Sequence, residues 1–358
     1  MKNPNFKTII FLTFLISLTF ISSVSADTAI NDSCTIISSA TYYLNNNINC
    51  SSGTAITITC DDVVLDGNGY IIDGTGTGSY GIYAMGPCTN ITLKNLNVEN
   101  FEYGIYLENV ENIILNNNTA NGNELGGIYV QSSSNVTFIG NTADSNTDCG
   151  IVSSFSSNNK IINNTVKSNG KRGIGLYYSS NSTIANNIAS SNKKYGIYLL
   201  SSSNITIKNN TADSNYPGGG FPDSSSNIYL DSSSNNTVIN NNINSSYYGI
   251  YLDSSDDNEV TNNTADSNII YGIYLDSSDN NKVTGNSANL GNYGIGLVSS
   301  SNNTFTSNTV NSTFQRGAIE LQSSSNNVLI KNTVNSNIMV FAYSLLQIIT
   351  QLQAIMYF

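Results

Sequence analysis

Residues 127–146 read GIYVQSSSNVTFIGNTADSN, one complete unit of a repeat that runs through most of the chain. Short runs of alternating apolar and polar residues are separated by Ser, Asn and Gly, the pattern of strands joined by tight turns. The opening Gly returns every 22 or 23 residues, except for one step of 31 that ends at Asn227. Its other positions are Gly81, Gly104, Gly150, Gly173, Gly196, Gly249, Gly272, Gly294 and Gly317. A fixed period of this length predicts a solenoid, whose units bury their apolar sides only by stacking on one another.

Apolar residues recur in register with this Gly and predict the inner walls of the solenoid. The Ile that follows the Gly gives one inward column, and a Leu, Phe, Ile or Val later in each unit gives a second. Ala or Val, such as Ala143, gives a third and narrower column. Three short strands per unit, with no helical period before the C-terminus, predict an all-β parallel β-helix of about 12 coils. Turn residues such as Asn141 and Asn164 are predicted to stack as side-chain amide ladders.

Residues 63–74, VVLDGNGYIIDG, and the coils that follow resemble the exported right-handed parallel β-helix proteins, including the NosD-like and pectate-lyase-like repeat families. The resemblance covers roughly residues 54–337. It implies a single-stranded right-handed parallel β-helix with 22–23 residues per coil, in an archaeal or bacterial surface protein. The copper handling that the NosD name suggests is not expected, because the chain has no His and only 4 Met.

The N-terminal segment predicts export. Two Lys residues precede an apolar run over residues 9–21, and small residues then lead to Ala26. This is the pattern of a signal peptide over residues 1–26, cleaved after Ala26. We expect residues 27–53 to form an N-terminal cap region and residues 54–337 to form the β-helix. The mature protein is expected to be secreted or to lie at the cell surface.

Residues 338–358 are apolar and leave the repeat pattern. A hydrophobic cap over the open end is one interpretation, because solenoids need capped ends. A weak membrane anchor is a second, although the segment lacks flanking Lys or Arg. We favour a third, a frameshift product, because back-translation with a shift of two bases yields a further coil in register. The gene sequence distinguishes these interpretations.

Five Cys residues are present, and an exported protein is expected to pair some of them. Aligning residues 62–65 with residues 90–93 gives an offset of 28, which Cys60 and Cys88 share. We predict a Cys60–Cys88 disulfide between adjacent coils, because the spacing of stacked strands lies within the reach of a disulfide. Cys34–Cys50 is then the remaining pair, and Cys149 is left as a free thiol or an intermolecular link.

The chain is acidic but weakly charged, with a net charge of −11, a pI near 4.3 and 10% charged residues. Its 13 Lys and Arg residues are too few for a broad phosphate-binding face, so no nucleic acid partner is expected. The absence of His removes the commonest general base and the commonest transition-metal ligand. No residue is assigned a catalytic role.

The densest basic cluster of the chain is predicted to lie in the turn that also holds its one long insertion. This basic cluster consists of Lys171, Arg172, Lys193 and Lys194. That insertion carries aromatic residues, and insertions in repeat proteins often carry function. A subsite for an acidic sugar chain is one interpretation, and a solvated turn with scattered charges is the other. The candidate binding residues are Asp148, Lys171, Arg172, Lys193, Lys194, Tyr216, Phe221 and Asp223.

A stripe of tyrosines follows the inward Ile column by one residue, so strand alternation places it on the outside. Flat stacked rings suit sugar faces or a partner surface, whereas simple packing along a strand ladder explains them equally well. The stripe comprises Tyr83, Tyr106, Tyr129, Tyr198, Tyr229, Tyr251 and Tyr274.

Acidic residues also recur at fixed positions in successive coils. Like charges opposite one another repel, so a bound Ca²⁺ would relieve them, although solvent and salt screen exposed carboxylates as well. The candidate calcium ligands are Asp231, Asp253, Asp276, Asp256 and Asp279.

Taken together, these features favour an exported, non-catalytic protein that binds polysaccharide or cell-envelope glycan, as an adhesin does. The resemblance also implies an alternative, a polysaccharide lyase or glycoside hydrolase of the pectate-lyase-like fold. In such a lyase, the basic cluster would supply the base. A purely structural envelope component is the third possibility. No cofactor is required, and both ends of the solenoid allow end-to-end self-association.

Overall fold

The computed structural model describes residues 27–216, 225–311, 317–334 and 352–356. Its described residues form strands and turns without a helix, and they wind into a right-handed parallel β-solenoid of about 12 turns. This confirms the predicted fold. In chain order, the strands are β1 (Thr28–Ile30), β2 (Cys34–Ile36), β3 (Thr41–Leu44), β4 (Ile48–Asn49), β5 (Gly53–Ile58), β6 (Val64–Asp66), β7 (Ile71–Thr89), β8 (Thr92–Lys94), β9 (Asn97–Glu111), β10 (Ile114–Asn116), β11 (Thr119–Asn121), β12 (Gly126–Gln131), β13 (Thr137–Ile139), β14 (Cys149–Ser154), β15 (Lys160–Ile162), β16 (Arg172–Tyr177), β17 (Thr183–Ala185), β18 (Tyr195–Leu200), β19 (Thr206–Lys208), β20 (Ser226–Asp231), β21 (Thr237–Ile239), β22 (Tyr248–Asp253), β23 (Glu259–Thr261), β24 (Tyr271–Asp276), β25 (Lys282–Thr284), β26 (Tyr293–Val298), β27 (Thr304–Thr306), β28 (Thr309–Val310), β29 (Gly317–Gln322), β30 (Val328–Val334) and β31 (Leu352–Met356).

The strands form two parallel sheets that run along the solenoid. Sheet 1 has 16 strands and contains the short strands in the middle of each coil, from β1 and β3 to β27 and β30. Sheet 2 has 15 strands and contains the strands that begin each coil, from β2 and β5 to β26 and β29. Each strand pairs with its counterpart one period away, so the register of the repeat becomes the register of the sheets.

The predicted inward columns are buried in this register. Ile128 pairs with Ile151 in sheet 2, and Phe138 pairs with Ile161 in sheet 1. All four side chains have no exposed surface and belong to one continuous core. Stacking on neighbours is therefore the way in which each coil buries its apolar side.

The predicted amide ladder is confirmed at the turn after sheet 1. Asn141 Nδ2 donates to Asn164 Oδ1 at 2.9 Å, and Asn164 Nδ2 donates to Asn187 Oδ1 at 3.0 Å. Asn164 Nδ2 also lies 3.1 Å from the Phe138 carbonyl oxygen. These side chains are buried, so the ladder supplies partners for polar groups that water cannot reach.

The third wall differs from the prediction of three strands per coil. Most coils contribute only one bridge pair there, such as Thr142 with Thr165. The reason is that side-chain amides replace part of the backbone ladder. The Asn141 amide N–H donates to Asn164 Oδ1 at 2.9 Å, and the Asn146 amide N–H donates to Asn169 Oδ1 at 2.9 Å.

The structure contains neither of the two predicted disulfides, and all five Cys residues have free thiols. The register behind the Cys60–Cys88 prediction is present, because Val64 pairs with Thr92, 28 residues later. Each of the two sulfurs instead faces a carbonyl oxygen of its surroundings, that of Ile36 for Cys60 and that of Met85 for Cys88, both at 3.7 Å. In the predicted pair Cys34–Cys50, Cys34 is a cross-strand partner of Ile56, and Cys50 Sγ lies 3.2 Å from the Ser52 carbonyl oxygen.

The structure describes only part of the two chain ends for which the sequence makes predictions. Residues 1–26, the predicted signal peptide, lie outside the described residues. Within the apolar tail, β31 pairs in parallel with β30, with Leu352 opposite Leu329. Nothing in the part of the chain that the structure describes has the length and apolar character of a transmembrane helix.

Candidate functional site

The tyrosine stripe lies on sheet 2, and its rings contact one another from coil to coil. The rings of Tyr106 and Tyr129 are 5.3 Å apart with an interplanar angle of 2°. Those of Tyr229 and Tyr251 are 4.7 Å apart at 14°. The predicted stacking is therefore present, whereas its role as a binding surface stays a prediction.

A second tyrosine column, which sequence reasoning missed, runs beside the first. Its members lie three residues earlier in the chain: Tyr80, Tyr103, Tyr195, Tyr248, Tyr271 and Tyr293. Strict alternation would place residues three apart on opposite sides of a strand. The Gly between them breaks the alternation, because a Cβ on Gly104 would lie 3.1 Å from the buried Ala120 Cβ. Both Gly104 and Ile105 thus face inward, and the recurring tetrapeptide Tyr-Gly-Ile-Tyr is the signal for two outward rings.

The first three coils of this face form what we call the N-terminal tyrosine cluster: Tyr80, Tyr83, Tyr103, Tyr106 and Tyr129. The Tyr80 and Tyr83 rings are 4.8 Å apart, and the Tyr103 and Tyr129 rings are 5.4 Å apart. All five rings are partly exposed. Burial, followed by the neighbouring Tyr129, raises the pKa of Tyr103 to about 12, so this hydroxyl is neutral at physiological pH.

The later coils form the C-terminal tyrosine ladder: Tyr195, Tyr198, Tyr229, Tyr248, Tyr251, Tyr271, Tyr274 and Tyr293. Four of these rings form a buried cluster separate from the main core. Tyr198 donates its hydroxyl to Asp231 Oδ2 at 2.8 Å, and Tyr229 donates to Asp253 Oδ2 at 3.0 Å. Burial and then the Asp253 carboxylate raise the pKa of Tyr229 well above its ordinary value. In this ladder the hydroxyls of Tyr198, Tyr229 and Tyr271 are bound to carboxylates.

The predicted acidic stack borders the same ladder. Asp231, Asp253 and Asp276 are cross-strand neighbours in successive coils. In the second stack, Asp256 Oδ1 accepts the Asp279 amide N–H at 2.7 Å. Within the described residues, no group of three or more His, Cys, Asp or Glu is arranged to hold a metal ion. Several of these carboxylates thus already have protein donors, and calcium binding stays a prediction.

A notch separates the two tyrosine regions, because Cys149 and Arg172 occupy positions that hold tyrosines elsewhere. The Arg172 guanidinium carbon lies 4.9 Å from the Tyr198 ring centre and 5.5 Å from that of Tyr177. Arg172 Nη1 is 3.9 Å from Cys149 Sγ. Burial raises the pKa of the Cys149 thiol to about 11, which keeps it protonated and unreactive. Arg172 therefore fills the notch as well as belonging to the basic cluster.

The basic cluster is assembled as predicted from adjacent coils. Lys171 Nζ lies 3.2 Å from Asp148 Oδ1, and Lys194 Nζ lies 5.2 Å from the Tyr195 ring centre. The Lys194 amide N–H donates to the Lys171 carbonyl at 2.8 Å, so these turns stack directly. Lys193 precedes Lys194 in the same turn.

Of the three candidate binding residues in the long insertion, only Tyr216 lies in the described part of the chain. The Tyr216 ring packs edge-on against Tyr247, with ring centres 4.7 Å apart. Phe221 and Asp223 lie outside the described residues, so their part in the basic-turn site stays a prediction.

Comparison with known proteins agrees with this architecture. A family model described as "Right handed beta helix region" matches residues 80–228. A second, described as "Periplasmic copper-binding protein (NosD)", matches residues 212–345. The chain is a right-handed parallel β-helix repeat protein. No curated protein sequence matches this repeat protein.

Solved structures of the same fold have diverse functions. The A-module of the mannuronan C-5 epimerase AlgE4 from Azotobacter vinelandii superimposes with a TM-score of 0.57 at 14% identity, covering 87% of this chain and 91% of its own. DFA-IIIase from Arthrobacter chlorophenolicus gives a TM-score of 0.55 at 13% identity, covering 68% and 70%. PfbA, a surface adhesin of Streptococcus pneumoniae, gives 0.51 at 15%, covering 86% and 83%. At such identities the likeness establishes the fold alone.

The residues of this β-helix protein do not fit the copper that the second family description names. Protein copper sites use imidazole, thiolate and thioether ligands. The sequence has no His, and the one Met among residues 27–334, Met85, has its sulfur 3.0 Å from the Tyr83 hydroxyl. The five Cys residues do not gather into a group of three metal-ligating side chains within the described part of the chain.

Proposed function

We propose that this β-helix protein is exported and binds a glycan chain, without catalysis, on the N-terminal tyrosine cluster. The observation that carries the proposal is the contact of five partly exposed tyrosine rings across three adjacent coils. All five rings are partly exposed, whereas four rings of the C-terminal tyrosine ladder are buried against one another.

The chemistry of this face suits sugars. A pyranose presents C–H groups on its faces and hydroxyls around its edge, and tyrosine combines an apolar ring with a polar tip. The Tyr106 hydroxyl lies 3.4 Å from Gln131 Oε1, and Gln131 Nε2 lies 3.4 Å from Glu108 Oε1. These weak contacts leave polar groups beside the rings that can exchange partners with sugar hydroxyls. A solenoid face also matches the extended shape of a polysaccharide.

Three observations support export. The N-terminal residues have the pattern of a signal peptide. One matching family description contains the word periplasmic, and one structural neighbour is described as a surface adhesin. The epimerase neighbour is described by its action on mannuronan, a polysaccharide, which supports a glycan as the partner.

The test is a binding assay with the full chain, exported and purified, on immobilised mannuronan, pectate, inulin, xylan, cellulose and chitin. Retention and the release of soluble or unsaturated fragments are scored together, with and without Ca²⁺. We expect retention without fragments on at least one glycan. Fragments would replace the proposal with the lyase or hydrolase alternative, with the basic cluster as its first candidate site. A complete lack of retention would favour a structural envelope component.

Two variants locate the binding surface. Tyr106→Ala removes the central ring of the N-terminal tyrosine cluster and should weaken glycan binding roughly tenfold, as is usual for a central aromatic contact. Tyr274→Ala, the same substitution at a partly exposed ring of the C-terminal tyrosine ladder, is the matched control and should bind as the unmodified protein does. Equal affinity of all three proteins would refute the location.

A further inference from the structure

A corner of the solenoid holds two exposed aromatic residues where other coils have serine. From β12 to β29, the chain turns directly after the strand that begins each coil through a residue with positive φ. Serine fills this position in most coils: Ser132, Ser201, Ser232, Ser254, Ser277, Ser299 and Ser323. Phe155 and Tyr178 fill it in two adjacent coils, with φ values of 48° and 50°.

Local physical chemistry disfavours both aromatic residues at this corner. A bulky side chain in the left-handed region is strained, and such strain persists at sites where it has a use. The rings gain little burial in return, because Phe155 is 60% exposed and Tyr178 is 52% exposed. They stack face to face, with centres 4.8 Å apart and an interplanar angle of 8°. Neither the fold nor the core requires this pair.

The second observation is a groove that Phe155 closes at one end. It has a volume of about 340 Å³, near the lower limit of small-molecule sites at ~300 Å³. The adjacent corner positions, Asn109 and Ser132, carry small side chains, which leaves the space beside the Phe155 ring open. Glu111 and Ser134 add a carboxylate and a hydroxyl to the lining.

We propose that this groove is a subsite for one neutral sugar ring. The ring's C–H face would pack on Phe155, and its hydroxyls would donate to the Glu111 carboxylate and exchange hydrogen bonds with Ser132 and Ser134. Asn135 Nδ2 donates to Glu111 Oε1 at 3.2 Å and so orients the carboxylate. Glu111 is the only charged residue of the lining, so an anionic sugar is disfavoured.

The inference rests on the proposed glycan binding and adds the class of sugar and a second contact. Ser132 directly follows the strand that carries Tyr129, and Asn109 lies near the end of β9, the strand that carries Tyr106. The groove therefore begins where the N-terminal tyrosine cluster ends. A chain lying on that cluster would reach the groove by continuing around the corner.

The test uses variants that restore the serine of the other coils. Phe155→Ser and Tyr178→Ser place at these corners a residue whose φ in the same turn is 49° at Ser132 and 46° at Ser201, so folding is expected. Tyr178→Phe keeps the ring. Leu290→Ser is the matched control, because Leu290 is also 49% exposed and also has a positive φ, at a distant turn.

Calorimetric titration with cellohexaose, mannohexaose, chitohexaose and hexaguluronate gives the readout. Phe155→Ser should raise the dissociation constant of a neutral hexasaccharide at least roughly tenfold. Tyr178→Ser should raise it less, because its ring supports Phe155 from behind. Tyr178→Phe and Leu290→Ser should match the unmodified protein, and hexaguluronate should bind more weakly than the neutral probes.

Three outcomes would overturn the inference. Unchanged affinity in both serine variants, with Tyr106→Ala still impaired, would refute the groove and leave the proposed function intact. Binding of hexaguluronate in preference to every neutral probe would do the same. Self-association that Phe155→Ser abolishes, measured by sedimentation, would make the aromatic pair a contact between copies of the chain. If the unmodified protein retains no glycan at all, both proposals fail together.

Discussion

The N-terminal tyrosine cluster and the C-terminal tyrosine ladder occupy the same two positions of the repeat on the same sheet, yet their surroundings differ. Two residues after the stripe, the first region has Met85, Glu108 and Gln131, whereas the ladder has Asp231, Asp253 and Asp276. Tyrosine hydroxyls bind two of these aspartates, and four of the rings pack into a buried cluster. The first region keeps its rings partly exposed. A repeated motif can thus serve packing in one region and recognition in another.

The largest difference is expected in stability. Tyr229→Ala removes a buried ring stacked on Tyr251 and leaves the Asp253 carboxylate without its donor, so the free energy of unfolding should fall by about 3 kcal/mol. Tyr106→Ala should cost about 1 kcal/mol, because that ring is partly exposed. Urea unfolding followed by circular dichroism checks both values. Similar losses for the two variants would erase the distinction between the regions.

A substitution in the notch between the two tyrosine regions should change stability by an intermediate amount. Arg172→Ala removes the guanidinium that lies over the Tyr198 ring, which should cost about 1 kcal/mol of stability. It should also remove the cation that lowers the pKa of the Cys149 thiol, so the thiol should react more slowly with a disulfide reagent at pH 8. A faster rate of thiol labelling would contradict this and would mean that Arg172 acts on the cysteine mainly as a cover.

Alkaline titration should separate the regions by the pKa of their tyrosines. One tyrosine of each region has a folded pKa above the ordinary 10.0: Tyr103 with a pKa of about 12, and Tyr229 with a pKa well above the ordinary value. Stability from these groups is therefore fully present below pH 10 and is lost as the pH rises through the folded values. Absorbance at 295 nm, compared with that of the variants Tyr103→Phe and Tyr229→Phe, should assign an earlier ionisation to Tyr103 and a later one, the ladder phase, to Tyr229. Simultaneous ionisation would contradict the different burial of the two regions.

The smallest change, a shift in the pKa of one tyrosine, is expected when a single carboxylate is removed. Asp253→Asn keeps the shape of the side chain and removes the charge that, after burial, most raises the pKa of Tyr229. The same titration should then show one tyrosine ionising at lower pH than in the unmodified protein. Gln131→Leu, beside the N-terminal tyrosine cluster, is the control and should leave the ladder phase unchanged.

The sequence predicted the fold and the strand register because solenoid contacts join residues one period apart. Ile128 meets Ile151, and Asn141 meets Asn164, so a column in the sequence is a ladder in space. The second tyrosine column was missed because strict alternation would place Tyr80 and Tyr103 on the opposite side of the strand from Tyr83 and Tyr106. The inward-facing Gly that breaks the alternation is visible only in three dimensions. The reduced third wall was missed because side-chain amides replace backbone pairs there.

By itself, the sequence determined the parallel β-helix, its register, its core columns and the outward tyrosine stripe. All of these follow from period and alternation, which act along one chain and between nearest coils. Only the tertiary structure decided which tyrosines stay accessible, that Arg172 fills the notch, and that Phe155 stands beside an open groove. Accessibility depends on the neighbours that surround a side chain from several coils at once, and a repeating pattern does not contain that information.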